Sequence, residues 1–315
     1  MPDIVVMFFV LGLFAGLVRS DLTIPKAMYE MLSLLLMLTI GLKGGMALHG
    51  NLSWGIVPEM AAVVMIGALI PLSFFPILRK IIGLNLADSA SIAAHYGSVS
   101  AGTFAVALAY TQAQQLVVGA EVTLYLVLME LPAIIVGLLL YRRHSSALPN
   151  AKPVSIGALW HEALTNKGVI LLVGGVIIGL MYGSKEGAPV TDLLMGGFKA
   201  VLALFLLEMG ITAAHTLRPL PVQQWRLMVF ALCAPMCLGS IGVVIGGLLG
   251  LSEGSIVILA SLTASASYIA APAAIKAAIP EANIGLAMLS SLGLTFPFNV
   301  LLGIGLYHQL VPILT

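Results

Sequence analysis

Charged side chains are scarce in this sequence, which has 315 residues: Asp, Glu, Lys and Arg make up 9% of them, against about 25% in an average soluble domain. So few charges do not cover the surface of a soluble enzyme or a disordered regulator. The net charge of +1 provides no field for nucleic acid, and the two cysteines exclude a disulfide framework. What is abundant is apolar: 60% of the residues, with a mean hydropathy of +1.09. The composition therefore predicts a protein that crosses a lipid bilayer many times.

Ten apolar segments approach or exceed the length of about 20 residues that a helix needs to cross the bilayer. They are residues 4–18, 28–48, 56–78, 86–110, 116–141, 168–182, 193–214, 227–251, 256–279 and 284–314. The runs are continuous rather than alternating, which favours helices over a β-barrel. The sequence therefore predicts an all-α polytopic membrane protein with ten transmembrane helices.

Basic residues are concentrated in alternate connections between these segments. Ten of the fourteen Lys and Arg residues lie in one set of loops, and the opposite set holds only Lys185. By the positive-inside rule, the first set of loops is cytoplasmic. We therefore expect a multi-pass protein of the plasma (inner) membrane with both termini outside, and with residues 143–166 as a cytoplasmic linker.

The two halves of the chain carry matching features at a nearly constant offset, which indicates an internal duplication. Ser98 and Ser100 correspond to Ser265 and Ser267 at an offset of 167 residues, and other pairs match at 165 and 166. Because each half holds five predicted spans, an odd number, the second half is inverted relative to the first. We expect residues 1–142 to form the first inverted repeat and residues 167–315 the second.

Small and hydroxyl residues interrupt the fourth and ninth spans, at residues 97–103 and 264–270. Small residues also allow close helix packing, but serines two apart face different sides of a helix, so a local break explains them better. A helix broken at mid-membrane presents free N–H groups and a positive dipole end, which suit a small anion. The candidate substrate-binding residues are Ser98, Val99, Ser100, Ala101, Gly102, Thr103, Ser265 and Ser267.

Three ionisable side chains lie inside predicted spans, where a charge costs several kcal/mol or more without a partner. In one interpretation, Lys43 forms a buried ion pair with Glu130 or Glu208. In the other, one of these groups changes protonation or binds a cation during transport. The ionisable candidates for cation binding or coupling are therefore Lys43, Glu130 and Glu208.

The motifs IGLKGGM (40–46), GSVSAGT (97–103), ELPA (130–133) and ASAS (264–267) with Pro272 resemble the sodium-dependent bicarbonate transporter family. The likeness covers nearly the whole chain. It implies two inverted five-helix repeats divided into core and gate domains that each draw on both repeats, with an elevator-like movement and a homotrimer. It also implies bicarbonate between the two breaks and sodium as the coupling ion beside it, with Ser265, Ser267 and Tyr268 as candidates for cation binding or coupling together with Glu130. It implies no other cofactor, and a PII-like cytoplasmic regulator as a partner.

The chain departs from the cyanobacterial members of that family at three places. Tyr268 stands where they carry an aspartate, Lys43 stands where they carry an uncharged residue, and the linker 143–166 replaces a longer hydrophilic segment. The chain has thus lost an acid and gained an ammonium group. This exchange is expected if a fixed or protonatable cation takes the place of sodium. The sequence therefore predicts import of a small anion, bicarbonate first, by alternating access at the crossed breaks, with sodium as the expected coupling ion and its replacement by Lys43 as the alternative.

Other functions fit parts of the pattern. A cation/proton antiporter shares the inverted-repeat plan but needs acidic residues at the breaks, and neither break has one. A transporter of a small organic anion could use Lys43 in place of sodium. An intramembrane serine hydrolase would use Ser98 or Ser267 as its nucleophile and needs His95 as its base. We expect a transporter and not an enzyme.

Overall fold

The computed structural model describes residues 3–50, 54–145, 157, 165, 167–218 and 222–315, and within them it contains helices and no strand. Most of the predicted linker 143–166 lies outside these residues. The helices are α1 (Ile4–Leu17), α2 (Lys26–Leu48), α3 (Trp54–Ile82), α4 (Leu86–Gly97), α5 (Ala101–Ala113), α6 (Val122–Ser145), α7 (Lys167–Glu186), α8 (Ala188–Thr216), α9 (Val222–Leu248), α10 (Glu253–Thr263), α11 (Ala270–Ala278) and α12 (Ile284–Leu314).

Eight helical segments of the described residues are long and apolar enough to cross a membrane. In that count α4 and α5 form one segment, Leu86–Ala113, while α1 and α10 are apolar but shorter. The number is below the ten predicted from sequence because α1 has 14 residues and the predicted ninth span is divided between α10 and α11. The chain is a multi-pass helical membrane protein.

The first break separates α4 from α5, where the sequence predicts one. α4 ends at Gly97, and the backbone of Ser98 and Ser100 is extended, with ψ of 152° and 115°. The Ser100 hydroxyl then accepts a hydrogen bond from the Thr103 N–H at 3.0 Å and so caps α5. Serine therefore both stops one half-helix and starts the next.

The second break separates α10, which ends at Thr263, from α11, which begins at Ala270. The Ser267 hydroxyl accepts a hydrogen bond from the Ala271 N–H at 3.2 Å. Pro272 lies in the first turn of α11, where its missing N–H removes no intrahelical hydrogen bond. Each half-helix is thus preceded by a serine whose hydroxyl accepts a hydrogen bond from a backbone N–H in the first turn of that helix.

Glycines bring α2 and α7 into backbone contact. A Cβ atom on Gly45 would overlap the carbonyl oxygen of Val176, and one on Gly179 would overlap that of Leu42. This spacing of small residues is typical of close helix pairs in membranes.

The helices α1 and α8 approach each other in the same way. A Cβ atom on Gly12 would overlap the carbonyl oxygen of Leu207, and one on Gly210 would overlap that of Phe9. Because α2 also contacts α8, the four helices α1, α2, α7 and α8 form one group.

An aromatic cluster joins α3, α4 and α9. The rings of Phe74, Tyr96 and Phe230 meet edge to face, with centroids 4.9–5.7 Å apart. Tyr96 lies one residue before the end of α4, so this cluster packs against the end of α4 at the first break.

Candidate functional site

The two breaks cross, and a backbone N–H of each donates a hydrogen bond to an oxygen atom of the other segment. The Ser100 N–H donates to the Ser265 Oγ at 2.9 Å. In return, the Ser267 N–H donates to the carbonyl oxygen of His95 at 2.7 Å. All four residues are buried. Segments 165 or more residues apart in the chain are therefore held together as one unit.

A small cavity adjoins this crossing. Its volume is about 30 Å³, roughly the space that two water molecules need. The lining includes Ala101 and Ala270, the first residues of α5 and α11, together with side chains of α2 and α6. Two helix N-termini, one from each half of the chain, therefore face one small space.

Backbone donors at these N-termini are available to a ligand. Within the described residues, the Ala101 N–H has no hydrogen-bond partner, whereas the Thr103 N–H is taken by the Ser100 hydroxyl. The positive ends of the helix dipoles add to the field at the cavity. The site therefore favours a small anion and requires no buried cation to hold it.

Two hydroxyl groups at the first break are buried without a partner. The Ser98 Oγ and the Thr103 Oγ1 make no hydrogen bond, although both side chains are fully buried. Of the predicted substrate-binding residues, the cavity lining includes Val99, Ser100, Ala101 and Ser267 but neither Ser98 nor Thr103. An unsatisfied buried polar group costs about 1–3 kcal/mol. Such atoms are expected where a protein keeps hydrogen-bonding capacity for a ligand.

Tyr268, in the second break, packs against residues of the first break. Its hydroxyl lies so close to Gly102 that a Cβ atom there would overlap it, and it faces the Ser100 side chain. The Tyr268 ring meets the Phe296 ring edge to face, with centroids 5.2 Å apart. Gly102 is therefore needed for close approach, and Tyr268 lines the cavity as a neutral polar group.

The three ionisable side chains predicted from sequence do not come together. Glu130 lines the cavity and has no hydrogen-bond partner among the described residues. The Glu208 Oε1 accepts a hydrogen bond from the Thr212 hydroxyl at 3.1 Å. The Lys43 ammonium lies 5.6 Å from the centroid of the Phe198 ring and does not line the cavity. In the described part of the chain, no ion pair joins Lys43 to either carboxylate.

The geometry does not support a serine–histidine dyad. The His95 Nδ1 donates to the carbonyl oxygen of Ser91 at 2.7 Å, while the His95 Nε2 and the Ser98 Oγ each lack a partner. The two groups are therefore not hydrogen-bonded, and Ser98 has no base to activate it.

Sequence reasoning missed Asn299, which is fully buried in a π-helical turn of α12. Its Nδ2 donates to the carbonyl oxygen of Ala264 at 2.9 Å, and its Oδ1 accepts from the Tyr307 hydroxyl at 2.7 Å. Asn299 therefore fixes the end of α10 at the second break. A single amide in an otherwise apolar span was the available signal.

A second missed network lies behind the first break. The Tyr96 hydroxyl and the Thr295 Oγ1 are 2.7 Å apart, and the Thr295 hydroxyl donates to the carbonyl oxygen of Ala231 at 2.8 Å. Pro235 has no N–H and leaves that carbonyl without its helical partner. Thr295 satisfies it, and Tyr96 donates to Thr295, so the network joins α4, α9 and α12.

These features define a class: a multi-pass helical membrane protein in which two broken helices cross and direct their N-termini at one cavity, as in secondary transporters. The family model of the Na⁺-dependent bicarbonate transporter superfamily matches residues 4–312, nearly the whole chain. The chain belongs to that superfamily, which confirms the resemblance found in the sequence and places it among transporters rather than enzymes. No curated protein matches the chain.

Proposed function

We propose that this protein is a secondary active transporter that imports bicarbonate, coupled to sodium, by alternating access at the crossed breaks. The observation that carries the proposal is the convergence of Ala101 and Ala270, the first residues of two half-helices, on one small cavity. A trigonal oxyanion of four heavy atoms matches both the size of this space and its supply of donors. Membership of the superfamily supports bicarbonate as the ion.

In this proposal the anion is bound by backbone and hydroxyl donors. The free N–H of Ala101, which lines the cavity, would bind a bicarbonate oxygen. The unpartnered hydroxyls of Ser98 and Thr103 lie outside the cavity lining and would reach the anion through a shift of the first break. Hydrogen bonds to a charged group are worth about 1.5–3 kcal/mol each, so a few of them offset the loss of hydration. Ser265 contributes indirectly, since its hydroxyl holds the Ser100 N–H.

Sodium would bind beside the anion through oxygen atoms. Among the described residues, no three or more His, Cys, Asp or Glu side chains cluster as metal ligands. The side-chain oxygens at the cavity are the Glu130 carboxylate and the hydroxyls of Ser33, Ser100, Ser267 and Tyr268. A single carboxylate with neutral oxygens suits a monovalent cation, and the carboxylate would also balance its charge.

The fold proposed for this activity has ten spans in two inverted repeats. The helices α1–α6 and α7–α12 follow one another with similar lengths, and each set has its fourth span broken. The glycine contacts support the same plan, because α1 meets α8 as α7 meets α2. Contacts between predicted same-side connections also fit: Asn283 donates to Asp88 at 2.7 Å, and Gly254 donates to Val117 at 3.0 Å.

The movement would be elevator-like, with the group α1, α2, α7 and α8 as the gate and the other helices as the core. The cavity lies between these groups, since α2 and α7 line one side and the breaks line the other. A homotrimer, an inner-membrane location with both termini outside, and a PII-like cytoplasmic regulator complete the proposal. These rest on the family resemblance and on the positive-inside rule.

The test is uptake of labelled bicarbonate into proteoliposomes that contain the purified protein. Sodium and proton gradients are imposed separately, with protein-free vesicles as the control. We expect uptake that requires inward sodium and saturates with bicarbonate. Uptake driven equally well without sodium would contradict the coupling, and its absence under both gradients, from folded protein, would contradict bicarbonate as the substrate.

A further inference from the structure

A second and larger opening, here called the vestibule, lies near the C-terminal end of α2. Its volume is about 810 Å³, and its lining includes Lys43 and Ala47 of α2 and Thr123 of α6. The cavity instead meets α2 between Ser33 and Met37, toward the middle of the helix. The two openings therefore lie at different positions along the same helix.

The same faces of three helices line both openings. On α2, α5 and α6, a residue that lines the cavity is separated by seven positions, or two helical turns, from one that lines the vestibule. The pairs are Met37 and Gly44, Ala101 and Leu108, and Glu130 and Thr123. Seven positions correspond to about 10 Å along a helix axis. The two openings thus lie at the two ends of one path along the same faces of α2, α5 and α6.

Apolar side chains occupy the interval between the openings. Ile40 on α2 and Phe104 on α5 are 0% exposed, and each lies between the cavity residue and the vestibule residue of its helix. On α6, Leu126 lines the cavity and Thr123 lines the vestibule, so the two openings are three positions apart there. In this structure buried side chains therefore separate the two openings by about two turns along α2 and α5 and by less than one turn along α6.

Lys43 is the charged group set deepest in the vestibule. It lies five residues before the end of α2, or about 7.5 Å inside it, and its ammonium has no carboxylate partner among the described residues. Glu121 also lines the vestibule but precedes the first residue of α6, at the mouth. There the Tyr125 hydroxyl lies 3.2 Å from the Glu59 Oε2 and 3.5 Å from the Glu121 Oε1.

We infer that Lys43 is the anion-receiving residue of the vestibule and that the transported oxyanion meets it before reaching the crossed breaks. A half-buried ammonium with only an aromatic ring as its partner retains its capacity to bind an anion. A positive group in a recessed opening raises the local concentration of anions. The inference rests on the proposed function for the substrate, while the field at Lys43 is a property of the vestibule alone.

The first experiment measures that field without any transport. Cys233 and Cys237 are replaced by serine, and Gln112, which lines the vestibule, is replaced by cysteine. Purified protein is labelled with a negatively charged or a positively charged thiosulfonate of similar size, and the ratio of the two rates is measured. Lys43→Met should lower the ratio of anionic to cationic labelling by about tenfold, and Lys43→Arg should preserve it.

The matched control is Lys276→Met on α11, which lines neither opening and should leave the labelling ratio unchanged. A ratio that Lys43→Met does not alter would overturn the inference.

The second experiment is bicarbonate uptake, in which Lys43→Met should raise the half-saturating concentration about tenfold with the maximal rate preserved. A changed labelling ratio with an unchanged half-saturating concentration would show that the transported anion does not pass through the vestibule on its way to the crossed breaks, and would contradict the inference. Absence of uptake by the unsubstituted protein would instead contradict the proposed function.

Discussion

The backbone N–H of Ser100 donates to the Ser265 Oγ at 2.9 Å, and this hydrogen bond joins the two halves of the chain at their breaks. The Ser265 hydroxyl in turn donates to the carbonyl oxygen of Leu262 at 2.8 Å. One side chain therefore satisfies a donor of the first break and an acceptor of the second. The position of one half-helix thus depends on a hydroxyl from the other half.

Ser265→Ala should loosen this crossing. It leaves a buried N–H unsatisfied, at a cost of about 1–3 kcal/mol, and it should also weaken bicarbonate affinity because the start of α5 loses its support. Thermal unfolding in detergent and the half-saturating concentration for uptake measure the two effects. Ser261→Ala is the matched control, since the buried Ser261 hydroxyl donates to the carbonyl oxygen of Val257 at 2.7 Å and Ser261 lines neither opening. It should cost stability but leave affinity unchanged; a loss of affinity in both variants would contradict the local role of Ser265.

Gly102→Ala should reduce uptake by at least about tenfold. The added Cβ atom would overlap the Tyr268 hydroxyl and lies within 3.3 Å of the Phe296 ring, and such overpacking costs about 1–3 kcal/mol. Gly196→Ala is the control, because nothing lies near that position on α8. Tyr268→Phe removes the overlapping oxygen and should restore part of the activity of Gly102→Ala. Normal transport by Gly102→Ala would contradict a close contact between Gly102 and the Tyr268 hydroxyl.

Gly179→Ala should separate α2 from α7 and lower stability by about 1–3 kcal/mol. The added atom would overlap the carbonyl oxygen of Leu42, whereas Gly174 on the same helix faces open space. Gly174→Ala should raise stability by up to about 1 kcal/mol, because alanine favours a helix more than glycine does. The midpoints of thermal unfolding, measured side by side, check the prediction. Equal shifts in the two variants would be evidence against backbone contact between these helices.

Local features of the fold could be predicted from the sequence because they depend on neighbouring residues. The break at residues 97–103 and the place of Pro272 in the first turn of α11 follow from residue types within one span. The position of Lys43 could not be predicted in this way. Its distance from Glu130 and Glu208 depends on how α2, α6 and α8 pack, and a single sequence does not contain that information.

The network around Asn299 shows the same limit. Its partners Ala264 and Pro235, the latter reached through Tyr307, lie 35 and 64 residues away in the chain. The amide alone indicated a buried polar group, but its partners depend on how α9, α10 and α12 pack. The sequence thus predicted where the two breaks lie, and the structure identifies the residues that hold these segments in place.

The central claim is that the first break binds the transported anion with donors that are otherwise unsatisfied, and Thr103→Val tests it most directly. Valine has nearly the same shape and removes the unpartnered Thr103 Oγ1. Thermal stability and bicarbonate affinity are measured together. The control is Thr111→Val, since the Thr111 hydroxyl donates to the carbonyl oxygen of Leu108 at 3.0 Å. We predict that Thr103→Val is as stable as the unsubstituted protein or more stable, while its affinity falls about tenfold or more. Unchanged affinity in a folded Thr103→Val protein would contradict the account.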